Sequence, residues 1–171
     1  YTISKITAEN FVRMFREVYN MDITVLRWMN ASGPRQHIFP VRKFIPMIIT
    51  QSILNENIEI YGTGNQTVDI IDVRDIANIA IKSIRNGIGK DLSKVYDVGS
   101  GHAISCNEVA EYVLKKINSK SKINHLPMRI GEALDTKIAA KSHNELLQKI
   151  NYNLQYSFEN TIDACIDYMK N

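Results

Sequence analysis

Cysteine is scarce: Cys106 and Cys165 are the two in 171 residues, far apart and outside any C-x-x-C pair. That pattern offers neither a zinc knuckle nor a dithiol redox motif. The four histidines, His37, His102, His125 and His143, have no metal-ligand spacing. No apolar run approaches the ~18 residues that a membrane helix needs, and no signal-peptide pattern opens the chain. Charge of one sign is nowhere concentrated. The net charge is +3, and the most basic stretch, Lys115 to Lys122, mixes Lys with Ile, Asn and Ser without an aromatic residue. A nucleic-acid surface usually shows a clustered basic stripe, so neither nucleic acid nor membrane is expected as a partner. A mild positive balance suits an anionic small molecule.

What is present describes an ordinary globular chain, 44% hydrophobic and 23% charged, long enough to bury a core. It begins at Tyr1, not Met, inside a helical pattern. This reads as a cleaved or deliberately truncated product, with a cytoplasmic origin expected.

Apolar residues at Ile3, Ile6, Phe11, Met14, Phe15 and Val18 follow the helical period and predict an amphipathic helix to Tyr19. Ile23 to Trp28 is nearly continuous and rich in β-branching, as in a strand buried on both faces of a parallel sheet. Asn30 to Arg35 is a turn-rich loop. Phe44 to Leu54 predicts a helix with Pro46 in its first turn. Strands are predicted at Ile58–Tyr61, Val68–Val73 and Val95–Val98, with a turn over Gly62 to Asn65. Asp75 is the expected N-cap of a helix over Ile76–Ile84. Ser105 and Glu108 fit a capping box for a helix to about Asn118. Ile123 to Leu134 is read as irregular, and two helices, about Lys141–Lys149 and Ser157–Met169, close the chain. This alternation argues an α/β fold.

Tyr1 and Lys5 stand at i and i+4, which places them one turn apart on one helix face. A phenol alone is a poor base at neutral pH. A nearby ammonium stabilises the phenolate, so the pair can take a proton from a hydroxyl while hydride leaves the same carbon. The spacing alone fits a structural pair as well.

The order of further motifs narrows the choice. After Tyr1-Thr2-Ile3-Ser4-Lys5 come Arg27-Trp28-Met29-Asn30-Ala31-Ser32-Gly33-Pro34-Arg35, then Phe44-Ile45-Pro46, then Tyr61-Gly62-Thr63-Gly64-Asn65-Gln66-Thr67-Val68-Asp69. Val73-Arg74-Asp75, Asp97-Val98-Gly99-Ser100-Gly101, the Ser105 capping box and Arg129-Ile130-Gly131-Glu132 follow. In this order and over nearly its whole length the chain resembles the C-terminal half of extended short-chain dehydrogenases, the NAD-dependent nucleotide-sugar epimerases and dehydratases of the UDP-glucose 4-epimerase type.

The resemblance implies the C-terminal part of a Rossmann-like doubly wound sheet plus a smaller α/β substrate-binding domain. Residues 1–35 would end the dinucleotide-binding domain. Residues 36–171 would be mainly the substrate domain, with 67–98 returning in part to the Rossmann sheet. It implies Tyr1 as general acid/base, Lys5 as its partner and a ligand of the nicotinamide ribose, and Met29 as backbone beside the nicotinamide. Asn30, Lys43, Phe44, Glu59, Tyr61, Arg129 and Glu132 would bind a nucleoside diphosphate sugar. Asn30 is equally a turn residue, Phe44 and Tyr61 equally core, and Arg129 equally a solvated cation.

The chain departs from the family pattern at three of these positions. Val68 stands where most relatives carry a diphosphate-gripping Arg, so Arg129, Arg74 or Lys43 must compensate, or the substrate differs. Glu132 replaces the usual Asp. Ser32 replaces a frequent aromatic residue near the sugar.

The glycine-rich dinucleotide turn is not among these residues. Gly62 and Gly64 do not form it, because no helix follows at the right spacing. The isolated chain is therefore expected to be inactive, to lack its own NAD site, and to self-associate or rearrange through the apolar strand at Ile23–Trp28. For the parent enzyme the resemblance implies a homodimer, with 4-epimerase and 4,6-dehydratase as rival activities. A non-catalytic relative that binds a metabolite or a protein is the alternative.

Overall fold

The computed structural model describes residues 1–40, 43–88, 95–131 and 140–171. Helix α1 spans Thr2–Tyr19 and stops at Asn20, whose left-handed φ of 51° closes it. A short polar side chain tolerates that conformation better than most. The predicted apolar stripe is there, but it faces outward: Ile3 is 81% and Val18 65% exposed. The buried side chain of α1 is Arg16, whose guanidinium donates to the Ile23 carbonyl.

Strand β1, Val25–Trp28, is shorter than predicted and only half buried. It pairs in parallel with β6, Val95–Val98. The chain then steps sideways into β2, Asn30–Ser32, which pairs in parallel with β5, Ile70–Asp72. Helix α2 is Phe44–Leu54 and ends at Asn55, again left-handed. Strand β3, Ile58–Tyr61, pairs in parallel with β8, Ile123–Leu126. The sequence reads Ile123 to Leu134 as irregular because it contains Pro127 and Gly131, but both lie beyond the end of this strand. The strand forms because the open edge of β3 accepts it. The two-residue strands β4, Thr67–Val68, and β7, Ile104–Ser105, pair antiparallel.

Helix α3 is Val73–Arg85, and its N-cap is Asp72, not Asp75. Asp72 accepts the Arg74 amide at 2.8 Å. Asp75, buried in the first turn, instead accepts the Tyr152 hydroxyl at 2.6 Å and the amides of Gln155 and Tyr156 at 3.0 and 3.2 Å. A carboxylate able to anchor an incoming segment is not needed as a cap. Helix α4, Cys106–Ile117, begins with the predicted Ser105–Glu108 capping box. Helices α5, Ala140–Lys149, and α6, Phe158–Lys170, complete the chain.

Two cores result. One packs α2, α4 and α6 against β3, centred on Ile48, Ile49, Ile60, Val109 and Ile162. The other joins β5, β6, α3 and α5 through Ile71, Ile79, Tyr96, Val98 and Leu146, with Trp28 at its margin. The step from β1 to β2 lies between these neighbourhoods. No helix among the described residues is long and apolar enough to cross a membrane.

Candidate active site

A cavity of about 650 Å³ runs from the start of α1 to the face of β3. At one end, Tyr1 sits at the N-cap of α1, and the Lys5 Nζ lies 5.1 Å from its ring centroid. The Lys5 amide donates to the Tyr1 carbonyl at 3.1 Å, so the first helical turn stacks the two as their spacing requires. Tyr1 is 93% exposed, and it lines the cavity.

The floor is the step between the ladders. The Met29 amide donates to the Val98 carbonyl at 2.8 Å and the Asn30 amide to the Asp69 carbonyl at 2.9 Å. One residue thus belongs to the β1–β6 ladder and the next to β2–β5. Asp69 holds this junction from below. It is 1% exposed and accepts the Ser100 amide at 2.6 Å, the Ser100 hydroxyl at 2.7 Å and the Gly101 amide at 3.2 Å. Gly99 lets the turn approach, since a Cβ there would stand 2.3 Å from Asp69 Oδ2 and 2.8 Å from Met29 Cγ.

At the far end, alternation along β3 turns Ile58 and Ile60 into the core and leaves Glu59 and Tyr61 half buried, both lining the cavity. The Arg129 guanidinium lies 3.7 Å over the Tyr61 ring, a cation–π contact. Gln66 donates to the Tyr61 carbonyl at 2.5 Å. Lys43, at the N-cap of α2, and Phe44 complete this end.

The structure therefore brings Tyr1, Met29, Asn30, Lys43, Phe44, Glu59, Tyr61 and Arg129 to one cavity. Lys5 adjoins it through Tyr1, and Glu132 lies outside the described residues. Of the cations considered for the Val68 position, Lys43 and Arg129 line the cavity. Arg74 does not compensate there: Asp72 holds it with bonds of 2.7 and 2.9 Å, and it stacks on Tyr156 at 3.6 Å. Val68 itself packs against the α2–α4–α6 core. Sequence reasoning did not assign Gln36, Gln66 or Cys106 to the cavity, although all three line it. Position in the Gly62–Val68 segment was a signal for Gln66, but nothing local marks Gln36 or Cys106. Among the described residues no group of His, Cys, Asp and Glu could hold a metal ion.

Residues 1–99 match the model of the NAD-dependent epimerase/dehydratase family. The chain belongs to that family. Over 98% of its length it is 30% identical to a low-salt glycan biosynthesis protein, Agl12, of Haloferax volcanii, 51% of which is covered. It superposes on a UDP-glucose 4-epimerase of Thermotoga maritima, solved with UDP-glucose, with a TM-score of 0.88 at 20% identity, over 99% of this chain and 53% of that one. A UDP-N-acetylglucosamine 4-epimerase of Methanobrevibacter ruminantium, in complex with UDP-N-acetylmuramic acid, matches at 28% identity and TM-score 0.85, again over 99% and 53%. The chain spans about half the length of the curated relatives it matches. Its architecture is the α/β arrangement of parallel strands and helices found in these Rossmann-fold epimerases.

Proposed function

We propose that the whole protein is an NAD-dependent nucleotide-sugar epimerase or dehydratase in which Tyr1 and Lys5 supply the acid/base chemistry at a sugar carbon. The observation that carries this is the single cavity with the Tyr1–Lys5 turn at one end and the Tyr61–Arg129 stack at the other. Its length suits an extended ligand: a nucleoside beside Phe44, Glu59 and Tyr61, a diphosphate near Asn30, Lys43 and Arg129, and a sugar toward Tyr1. Arg to phosphate is a charge-assisted contact. Val68 leaves Lys43 and Arg129 as the cavity-lining cations of the described set. Glu132 remains assigned to substrate by resemblance.

For NAD, the described residues fit the nicotinamide end: Lys5 for the ribose hydroxyls and the Met29 backbone as the floor beside Tyr1. Gly62 and Gly64 lead into β4, not a helix, so these two glycines do not form a pyrophosphate cradle of the strand–turn–helix kind. When bound, the nicotinamide accepts and returns hydride. The chain's own part is to hold the sugar hydroxyl at the Tyr1 oxygen, take its proton, and keep Lys5 close enough to favour the phenolate. Residues 1–35 then close a dinucleotide-binding unit, 36–171 form mainly the substrate-binding unit, and 67–98 return in part to the sheet. A cytoplasmic homodimer belongs to the same reading, and so does an inactive isolated chain.

The test is to purify the whole protein, denature it, and measure released NAD and NADH before and after exposure to UDP- and dTDP-hexoses. Bound NAD and a sugar product altered at C4 support the reading; a C4 epimer marks an epimerase, a 4-keto-6-deoxy sugar a dehydratase. Tight binding of a nucleotide sugar without any redox exchange would instead favour the binding-module alternative.

A further inference from the structure

The Tyr1–Lys5 row continues one turn further to Glu9. Residues at i, i+4 and i+8 lie along one side of a helix, so Glu9 is within one turn's reach of the ammonium that serves Tyr1. Glu9 is engaged elsewhere. Arg27 of β1 grips it with Nε on Oε1 and Nη2 on Oε2, both at 2.7 Å, the two-pronged geometry that fixes orientation as well as distance. A third nitrogen of Arg27 lies 3.6 Å from Asp97 of β6. The hydrogen bond from Arg27 holds the Glu9 carboxyl below the usual carboxylate range. Two residues beyond Arg27 the chain reaches Met29 and Asn30, the floor of the cavity. Charged groups near the row among the described residues include Lys5 and Arg13 on α1, the latter donating to Asn10 at 2.7 Å, Arg27 on β1 and Asp97 on β6.

We propose that Arg27 is a positioning residue that keeps the Glu9 carboxylate off Lys5 and sets α1 against the Met29–Asn30 end of the site. The inference rests on the reading of Tyr1 and Lys5 as the acid/base pair. Freed from Arg27, Glu9 would be a carboxylate one turn C-terminal to an ammonium. That is the weaker of the two helical orientations, but still an attractive one. A Lys5 neutralised by Glu9 favours the Tyr1 phenolate less. The fork is half open to solvent, with Arg27 52% exposed, and such pairs contribute little to stability. The loss should therefore appear in rate and pH dependence, not in folding.

The experiment compares wild type, Arg27→Met, Glu9→Gln and the double variant in the whole protein, with a crystal structure of the Arg27→Met form. Arg27→Met should lower kcat about 10- to 100-fold, the scale of a misplaced catalytic pair, with KM for the nucleotide sugar nearly unchanged. The pH of half-maximal kcat should rise by about 0.2 to 0.7 of a unit, the range open to an exposed ion pair one turn away. Adding Glu9→Gln should recover most of the pH shift and the part of the kcat loss that the Lys5–Glu9 contact causes, and the Arg27→Met structure should show Glu9 bonded to Lys5. Should Arg27→Met fail to fold, Arg27→Lys carries the same test, with a smaller loss and the same recovery. A double variant no better than Arg27→Met, or a structure with Glu9 and Lys5 apart, overturns the proposal. If wild type exchanges no hydride with any nucleotide sugar, the acid/base reading falls, and the Lys5–Glu9 contact in the variant structure alone decides the positioning role.

Discussion

Asp69→Asn is the sharpest structural perturbation at the floor of the site. The carboxylate is buried and accepts three hydrogen bonds, two from backbone amides. An amide retains one acceptor oxygen. Its best orientation keeps Ser100 satisfied and turns the NH2 toward the Gly101 amide, so two donors face each other. One charge-assisted bond is lost and one buried N–H is left without a partner. Together these are expected to cost about 1.5 to 3 kcal/mol. At roughly 2 to 4 °C per kcal/mol for a chain of this size, Tm should fall by about 3 to 12 °C. Trp28 is the single tryptophan and packs at the margin of the neighbouring core. Urea unfolding followed by its fluorescence therefore reports on this region directly. Asp69→Ala, which strands all three donors, should cost more than Asp69→Asn. A loss below about 0.5 kcal/mol, the noise of ordinary surface substitutions, would refute the view that this carboxylate holds the floor.

Four further outcomes are expected. Arg129→Met should weaken nucleotide-sugar binding by isothermal titration about 10- to 100-fold, through loss of a charge-assisted phosphate contact, while Tm stays nearly unchanged; undiminished affinity would remove Arg129 from the site. Gly64→Ala should destabilise by about 2 to 3 kcal/mol in the same urea assay, adding left-handed strain to displacement of a bonded side chain. Gly64 has φ +76°, and its Cβ would meet Asn107 Oδ1 at 2.0 Å. Burial alone would raise the Asp72 carboxyl, but hydrogen bonds from the Arg74 side chain and amide and from Thr161 outweigh it and hold it below its ordinary value. Its contribution is therefore present above about pH 4 and lost as pH falls through the lower folded value, so Asp72→Asn should flatten the acid limb of stability. Burial, then the bond to Asp75, pushes Tyr152 up to about 12. Its contribution is present below about pH 10 and lost as pH rises toward 12, and Tyr152→Phe should flatten that alkaline limb in thermal melts.

Helix positions were legible where a local device set them. The Ser105–Glu108 box starts α4 as read, and the helix read over Phe44–Leu54 with Pro46 in its first turn is α2. Asp75 was misread because a buried carboxylate that binds residues 152–156 resembles a cap in one dimension. Strand β8 was missed because its pairing with β3 is a long-range event and its own residues alternate poorly. The apolar face of α1 was legible as a pattern; its exposure was not, because burial depends on what packs against it. The sequence left Tyr61 open between core and pocket; alternation along β3 leaves it and Glu59 half buried on the cavity side. The Arg27–Glu9 fork joins residues 18 apart in sequence, and nothing in either local pattern announces it.

The most direct measurement uses a nucleotide sugar carrying deuterium at C4, incubated in single turnover with the whole protein and with its Tyr1→Phe form. After denaturation, mass spectrometry of the released cofactor reads where the deuterium went. For wild type the account predicts deuterated NADH as the transient carrier, with the label returned to C4 of the inverted sugar or delivered to C6 of a 4-keto-6-deoxy product. For Tyr1→Phe it predicts transfer slowed about 10²- to 10⁴-fold, the usual worth of a positioned acid/base, with sugar-nucleotide affinity retained. A wild type that forms neither deuterated NADH nor any C4-inverted or 4-keto product, or label transfer equally fast without the Tyr1 hydroxyl, would contradict it.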